Sequence, residues 1–190
     1  MASIIKANQL QDFGGNSIIT SDGAGTITLS SGMQTAVQSA GATNTPAFHA
    51  SLSSNQTGSD NSFTKLQINS EEYDTNNCYD NSTNYRFTPT TAGKYYVYGQ
   101  VVAGQNNIYS TNVAIYKNGS IYAANRDNVY SNTRAEGNAT LGVVIDFNGS
   151  SDYVELFSLV DITTGSPIYF GESGFGWGEM TYFGAYKIIE

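Results

Sequence analysis

Tyr85-Arg86-Phe87-Thr88-Pro89-Thr90-Thr91-Ala92-Gly93-Lys94-Tyr95-Tyr96-Val97-Tyr98-Gly99-Gln100-Val101-Val102 decides the fold class of this chain. Residues 85–88 form a short extended run that enters residues 89–93, a turn by its proline and glycine. The run that follows is rich in Tyr and Val, which fit a pleated, half-buried surface. Side chains alternate across a strand, so Tyr95, Val97, Gly99 and Val101 share one face and Tyr96, Tyr98 and Gln100 take the other. The expected unit is strand, turn, strand.

Outward from this stretch the pattern repeats. Val113-Ala114-Ile115-Tyr116, Lys117-Asn118-Gly119 and Ser120-Ile121-Tyr122-Ala123 read as a hairpin, because Asn-Gly accepts the positive φ angles of a tight turn. Residues 140–147, 153–159 and 182–189 are further strands, and Asn148-Gly149-Ser150-Ser151-Asp152 is the turn between the first two. On the N-terminal side Phe48, Ala50 and Leu52 alternate, a polar loop spans 53–61, and Phe63, Leu66 and Ile68 lie in the next extended run. Many short strands with regular turn signals predict an antiparallel sandwich or barrel. Neither a solenoid period nor collagen-like glycine triplets occur.

Residues 1–45 read differently, as an extended arm. Short strand-like pieces at 4–10, 16–20 and 26–29, a turn at Ser21-Asp22-Gly23-Ala24-Gly25 and two helical turns at 33–40 hold too little apolar mass for a core. The arm is expected to order against copies of itself or a larger assembly.

Composition narrows the function. The chain has 190 residues, room for one medium domain plus an arm. With 8 Lys and Arg against 16 Asp and Glu its net charge is −8, which argues against nucleic-acid binding. Charged residues are 13%, about half the usual share, while aromatics are also 13%, with 14 Tyr and 9 Phe. No window approaches the roughly 20 apolar residues of a membrane helix, so no membrane insertion is expected. The opening Met1-Ala2-Ser3-Ile4-Ile5-Lys6-Ala7-Asn8 lacks the apolar stretch of a secretory signal. Cys78 is the single cysteine, which excludes an internal disulfide framework and a multi-cysteine zinc site.

The order of motifs resembles the complement-1q-like globular head, a jelly roll related to the tumour necrosis factor family. Pro46-Ala47-Phe48-His49-Ala50 is similar to the family's opening strand, usually Pro-Ala-Phe-Ser-Ala, and Phe63-Thr64-Lys65-Leu66 through Tyr79-Asp80 to the segment ending in Tyr-Asn. Asn84-Tyr85-Arg86-Phe87-Thr88-Pro89 with Ala92-Gly93-Lys94-Tyr95-Tyr96-Val97-Tyr98 resembles its most specific stretch, Gly-x-Phe-Thr, then Pro, then Pro-Gly-x-Tyr-x-Phe. The closing Tyr182-Phe183-Gly184-Ala185-Tyr186 also falls in place. Departures are the altered turn Gly149-Ser150-Ser151-Asp152, where the family has Gly-Asp, and the lack of the collagen stalk and signal peptide of animal members. The resemblance implies an all-β, complement-1q-like jelly-roll sandwich of two antiparallel sheets over residues 46–190. It also implies a homotrimer that buries aromatic faces about a threefold axis.

The arm is instead similar to the opening of tail and appendage proteins of tailed phages, through residues 1–12 and Gly15-Asn16-Ser17-Ile18-Ile19-Thr20. That resemblance implies a non-enzymatic structural protein of a phage particle, a tail-fibre tip or capsid appendage on the virion surface. Residues 1–45 would bind other virion proteins, and outer loops would bind a host cell-surface glycan or protein. The alternative is a secreted or cell-surface trimeric complement-1q-like ligand or binding module. A polysaccharide depolymerase would need a carboxylate pair at a defined separation, and no motif marks one.

Candidate recognition residues are Tyr73, Tyr109, Tyr130, Phe175 and Trp177. The tyrosines Tyr73, Tyr79, Tyr109, Tyr122 and Tyr130 fall in or beside Asn-rich segments, and Tyr offers contact area at small entropic cost. Each reads equally as a core cap with its hydroxyl in water. Phe175 and Trp177 stand in Gly171-Glu172-Ser173-Gly174-Phe175-Gly176-Trp177-Gly178, which lacks the Lys-Ser/Thr of a phosphate loop and reads as an aromatic-presenting loop or as a tryptophan buried between subunits. Glu71-Glu72-Tyr73-Asp74 and Asp80 offer oxygens to calcium but match no defined calcium loop, so no cofactor is expected and calcium is the one candidate. His49 has no Asp or Cys at a useful spacing and is read as a strand residue, and Cys78 as a structural thiol. The Asn-x-Ser/Thr sequences at Asn55, Asn81, Asn118, Asn138 and Asn148 are expected by chance in so Asn- and Ser-rich a chain.

Overall fold

A computed structural model describes residues 8–34, 44–128, 134–172 and 178–188. The chain divides into two compact units, Met1–Thr43 and Asn44–Glu190.

In the first unit β1 (Gln9–Gln11), β2 (Ser17–Ser21) and β3 (Ile27–Leu29) form a three-stranded antiparallel sheet in the order β1-β2-β3. The segment expected as an extended arm thus holds a small meander over residues 8–34. Its turns close on carboxylates: Asp12 accepts the Asn16 backbone N–H at 2.9 Å, and Asp22 those of Ala24 and Thr26 at 2.7 and 3.0 Å. Hydrogen bonds from Asn16 and from Ala24 hold the two carboxyls below their ordinary range. Among the described residues of this unit the sheet has no second layer, and Leu10, Phe13 and Ile27 are exposed. Residues 31–34 are helical, and the rest of the helix expected to 40 lies outside the described residues.

The second unit runs through β4 (Ala47–Ser51), β5 (Gln56–Thr57), β6 (Thr64–Lys65), β7 (Ser70–Asp74), β8 (Tyr79–Asp80) and β9 (Arg86–Phe87). It continues with β10 (Gly93–Lys117), β11 (Ser120–Asn128), β12 (Arg134–Phe147), β13 (Val154–Ile162), β14 (Ile168–Tyr169) and β15 (Tyr182–Lys187). The two strands read at 95–102 and 113–116 are one 25-residue element, β10. It breaks register between Gly104 and Ile108, where Gln105 and Asn107 take positive φ. Residues 93–104 pair with β12 and β15, and residues 108–117 with β11 and β13. A front sheet therefore runs β7-β4-β15-β10-β12, and a back sheet runs β11-β10-β13-β9-β8 with β6 also on β13. All these pairings are antiparallel, and the result is a jelly-roll sandwich.

The alternation read from the sequence places the core. Tyr95, Val97 and Val101 on the front sheet and Val113, Ile115 and Leu156 on the back sheet are fully buried. Each apolar side chain of this size contributes about 1.5–3 kcal/mol on burial. Phe48 stacks on Tyr79 at 4.3 Å and on Phe87 at 4.7 Å, and meets Phe183 edge-on at 5.1 Å, joining the sheets. Gly99 lets Leu156 press against the front sheet: a Cβ there would stand 2.6 Å from the leucine Cδ1.

Buried phenols keep partners. Tyr79 donates to the Ile68 carbonyl at 2.8 Å and Tyr95 to the Thr91 carbonyl at 2.8 Å. Burial pushes both hydroxyls well above the ordinary tyrosine range, so they stay protonated donors.

The turns follow their residues. Asn118 and Gly119 take the positive φ that the hairpin between β10 and β11 requires. Asn148 Oδ1 accepts the backbone N–H groups of Ser150, Ser151 and Asp152, folding the turn before β13. Cys78 is buried, with its Sγ 3.6 Å from the Asn76 carbonyl, as expected of a structural thiol.

Candidate functional site

The outward side of the front sheet carries the alternate residues, and its register aligns one row across five strands. Tyr73 on β7 pairs with His49 on β4, His49 with Gly184 on β15, Gly184 with Tyr98 on β10, and Tyr98 with Gly142 on β12. Gly184 has no side chain to fill its place, so the Tyr98 ring lies down across it; a Cβ at Gly184 would stand 2.4 Å from the ring. Lying there, the Tyr98 hydroxyl reaches His49 Nδ1 at 3.0 Å. Gly142 is covered in the same way by Tyr96, whose hydroxyl would meet a Cβ at 2.0 Å.

Around this row the face is aromatic. Tyr96 lies 6.0 Å from Tyr98 and 5.6 Å from Tyr186, and Tyr98 lies 6.3 Å from Tyr182, ring centre to ring centre. Tyr96, Tyr98, Tyr182, Thr140 and Gly142 border a shallow depression of about 380 Å³. Burial, then the neighbouring Tyr73 phenol, push the Tyr98 hydroxyl well above its ordinary range.

The other end of the row is acidic. His49 Nε2 lies 2.6 Å from Glu179 Oε2 and 4.0 Å from Glu72 Oε2. Glu72, Glu172 and Glu179, with Ser70 and Gly178, line a depression of about 430 Å³, and Ser51 Oγ donates to Glu172 Oε1. The partners of His49 lie 23 and 130 residues away in the chain, beyond any local spacing: the pairing of β4 with β7 brings in Glu72, and Glu179 comes from the segment just before β15.

The candidate residues part company. Tyr73 is exposed and stacks on His49 at 6.3 Å, at the acidic end of the row. Tyr109 is exposed on β10 just past the break at Gln105 and Asn107. Tyr130, Phe175 and Trp177 lie outside the described residues. Tyr79 falls on the core side of its two readings, with its hydroxyl on the Ile68 carbonyl instead of in water: it is buried against Phe48, because β8 turns it inward. Tyr122 is exposed, with its hydroxyl 3.5 Å from the Val144 carbonyl.

The acidic group named for calcium is divided among tasks. Asp74 accepts the backbone N–H groups of Asn76 at 3.2 Å and Tyr79 at 2.7 Å. Asp80 accepts those of Ser82, Thr83 and Asn84 at 3.1, 2.9 and 3.0 Å. The Thr83 bond leads those that hold the Asp80 carboxyl well below its ordinary range. Glu72 alone of the group turns toward His49.

Three solved domains are similar to this chain in fold. Eiger, a tumour necrosis factor from S. frugiperda, superposes with a TM-score of 0.57 at 10% identity, over 76% of this chain and 92% of its own. The globular domain of zebrafish complement 1qA gives 0.53 at 14% identity, over 76% and 98%. Murine APRIL gives 0.52 at 10%, over 75% and 98%. The fold is a jelly roll of the tumour-necrosis-factor and complement-1q type. No sequence family and no curated relative matches the chain.

On the back sheet of this jelly roll the outward residues of β13 are covered by their own neighbours, while Ile121 and Tyr122 on β11 stay exposed. Glu155 is buried between Lys65 Nζ at 2.6 Å and Arg86 Nε at 3.5 Å, and the Arg86 guanidinium lies 4.2 Å over the Tyr153 ring. Phe157 stacks on Tyr116 at 4.0 Å, and Phe63 meets Tyr116 at 5.8 Å.

Proposed function

We propose that this chain is a non-enzymatic binding module that assembles as a homotrimer through the outer face of its front sheet. The observation that carries the reading is the tyrosine patch of Tyr96, Tyr98, Tyr182 and Tyr186 laid over Gly142 and Gly184. Aromatic residues with a low charge density mark the cores of protein interfaces. Tyrosine contributes large contact area for little conformational entropy. Three copies meeting on the tyrosine patch would bury it, and would leave Tyr73, at the opposite end of the row, and Tyr109, past the bend of β10, as candidates for ligand contact. Trimeric presentation raises avidity for a cell-surface glycan or protein without a tight single site.

The setting favoured by the fold is that of a secreted or cell-surface ligand or binding module. Attachment to a phage particle through residues 1–45 has its support in the resemblance of the first twenty residues; the solved domains named above come from S. frugiperda, zebrafish and mouse. Peptide mass spectrometry of gradient-purified particles separates the two settings, since only an appendage is recovered with them.

Light scattering at micromolar concentration tests the assembly. The expected mass is three times that of one chain, and Tyr96→Arg is expected to yield monomers with an unchanged circular dichroism spectrum. A monomeric parent chain overturns the reading. Release of reducing ends from host polysaccharide would overturn its non-enzymatic part.

A further inference from the structure

We propose that His49, Glu72 and Glu179 form a divalent-metal site of the zinc class. Their ligand atoms, one imidazole nitrogen and two carboxylate oxygens, all lie within 4.8 Å of one another. Zinc bound tetrahedrally at 2.0–2.2 Å keeps its ligand atoms about 3.3 Å apart. The Nε2–oxygen distances of 2.6 Å to Glu179 and 4.0 Å to Glu72 bracket that value, so small side-chain rotations complete the set.

Two further features point to a cation. First, the adjoining depression is lined by three carboxylates, Glu72, Glu172 and Glu179, and no lysine or arginine lines it among the described residues. Three like charges around one hollow repel, and a divalent ion removes that repulsion. Second, the imidazole is oriented from behind. Tyr98 Oη, 3.0 Å from Nδ1, can accept the Nδ1–H once a metal takes the place of the Nε2 proton. The Nε2 proton that Glu179 Oε2 accepts at 2.6 Å is the one a metal would displace, bringing the imidazole nitrogen and the carboxylate onto one ion. A hydrogen-bond partner on the far nitrogen is the usual companion of a metal-bound histidine. Gly184 is what allows it, since only a residue without a side chain lets the phenol cross the strand to reach the ring.

The donor set selects the ion. One nitrogen with two oxygens, leaving a fourth position for water or a ligand oxygen, suits zinc, whereas calcium prefers six to eight oxygens. All three ligands belong to one chain, so the site does not depend on the proposed trimer.

The test is calorimetric titration of zinc chloride into the full chain after chelator treatment. One zinc per chain is expected, together with a rise in melting temperature on zinc addition. His49→Gln and Glu179→Gln should each weaken binding at least about tenfold, and Tyr98→Phe by about tenfold while the circular dichroism spectrum is unchanged. Glu72→Gln, on a largely exposed side chain, serves as the variant whose folding is not at issue and should also weaken binding. Unchanged affinity in Glu72→Gln and Glu179→Gln, no zinc binding by the parent chain, or calcium bound as tightly as zinc overturns the proposal.

Discussion

The two outer faces of the sandwich are built from the same strand, β10, yet finish in opposite ways. On the back, the outward groups of β13 are closed by neighbours from their own chain: Glu155 by Lys65 and Arg86, Arg86 by Tyr153, and Phe157 by Tyr116. On the front, glycines stand where neighbours would be, and tyrosines lie flat over them. The part of the back closed from within needs no partner, and among the described residues only its β11 side, with Ile121 and Tyr122, stays open. A face of flattened phenols is smooth and aromatic, with its charge gathered at the two ends, His49, Glu72 and Glu179 at one and the Lys94–Asp146 pair at the other. The difference teaches where to look for function: in the face that the chain has left to something else.

Substitutions can break this contrast. The largest effect is expected on the back, where Glu155→Ala leaves Lys65 and Arg86 without their anion. A cost of about 3 kcal/mol is expected, at the low end for a buried pair because both cations reach solvent, and chemical denaturation measures it. Its oligomeric state should not change. On the front, Gly184→Ala drives a methyl into the Tyr98 ring and should cost about 2 kcal/mol. Here the mass by light scattering and the zinc affinity should fall together, which no back-face change should cause. If Gly184→Ala leaves both untouched, the front face is as self-contained as the back.

The smallest effect sharpens the comparison by pH. Asp80 closes the turn after β8, and Asp80→Ala should cost about 1 kcal/mol at neutral pH. Its carboxyl titrates lower in the folded chain than in the unfolded one. The stabilisation is therefore full above the unfolded value of about 4 and is lost as pH falls below it. Parent and variant should differ in denaturation midpoint at pH 6 and converge toward pH 2.

Much of the fold was legible because it is written locally. Asn118-Gly119 announces its hairpin, Asn148 to Asp152 its turn, and the alternation of Tyr95, Val97, Gly99 and Val101 its buried face, since each depends on neighbouring residues alone. The 14-residue reach of β12 was not, because Arg134 to Ala139 has no apolar alternation and is held by pairing with β10. The continuity of β10 was hidden for a related reason: Gln105 and Asn107 carry the bend without a glycine at either position. The row from Tyr73 to Gly142 was illegible altogether. It joins five strands through register, and register is a property of pairs that sequence separation conceals. His49 is the example: no carboxylate stands near it in sequence, yet Glu72 and Glu179 lie against it in the fold.

Strand β10 has a consequence for how the domain comes apart. Its 25 residues hydrogen-bond to β12, β14 and β15 in one sheet and to β11 and β13 in the other. Opening either sheet strips half of β10 and loosens the segment that anchors the other half. Neither layer can leave first, so the sandwich opens as a single cooperative unit, and amide protons on both sides of the bend share one global protection.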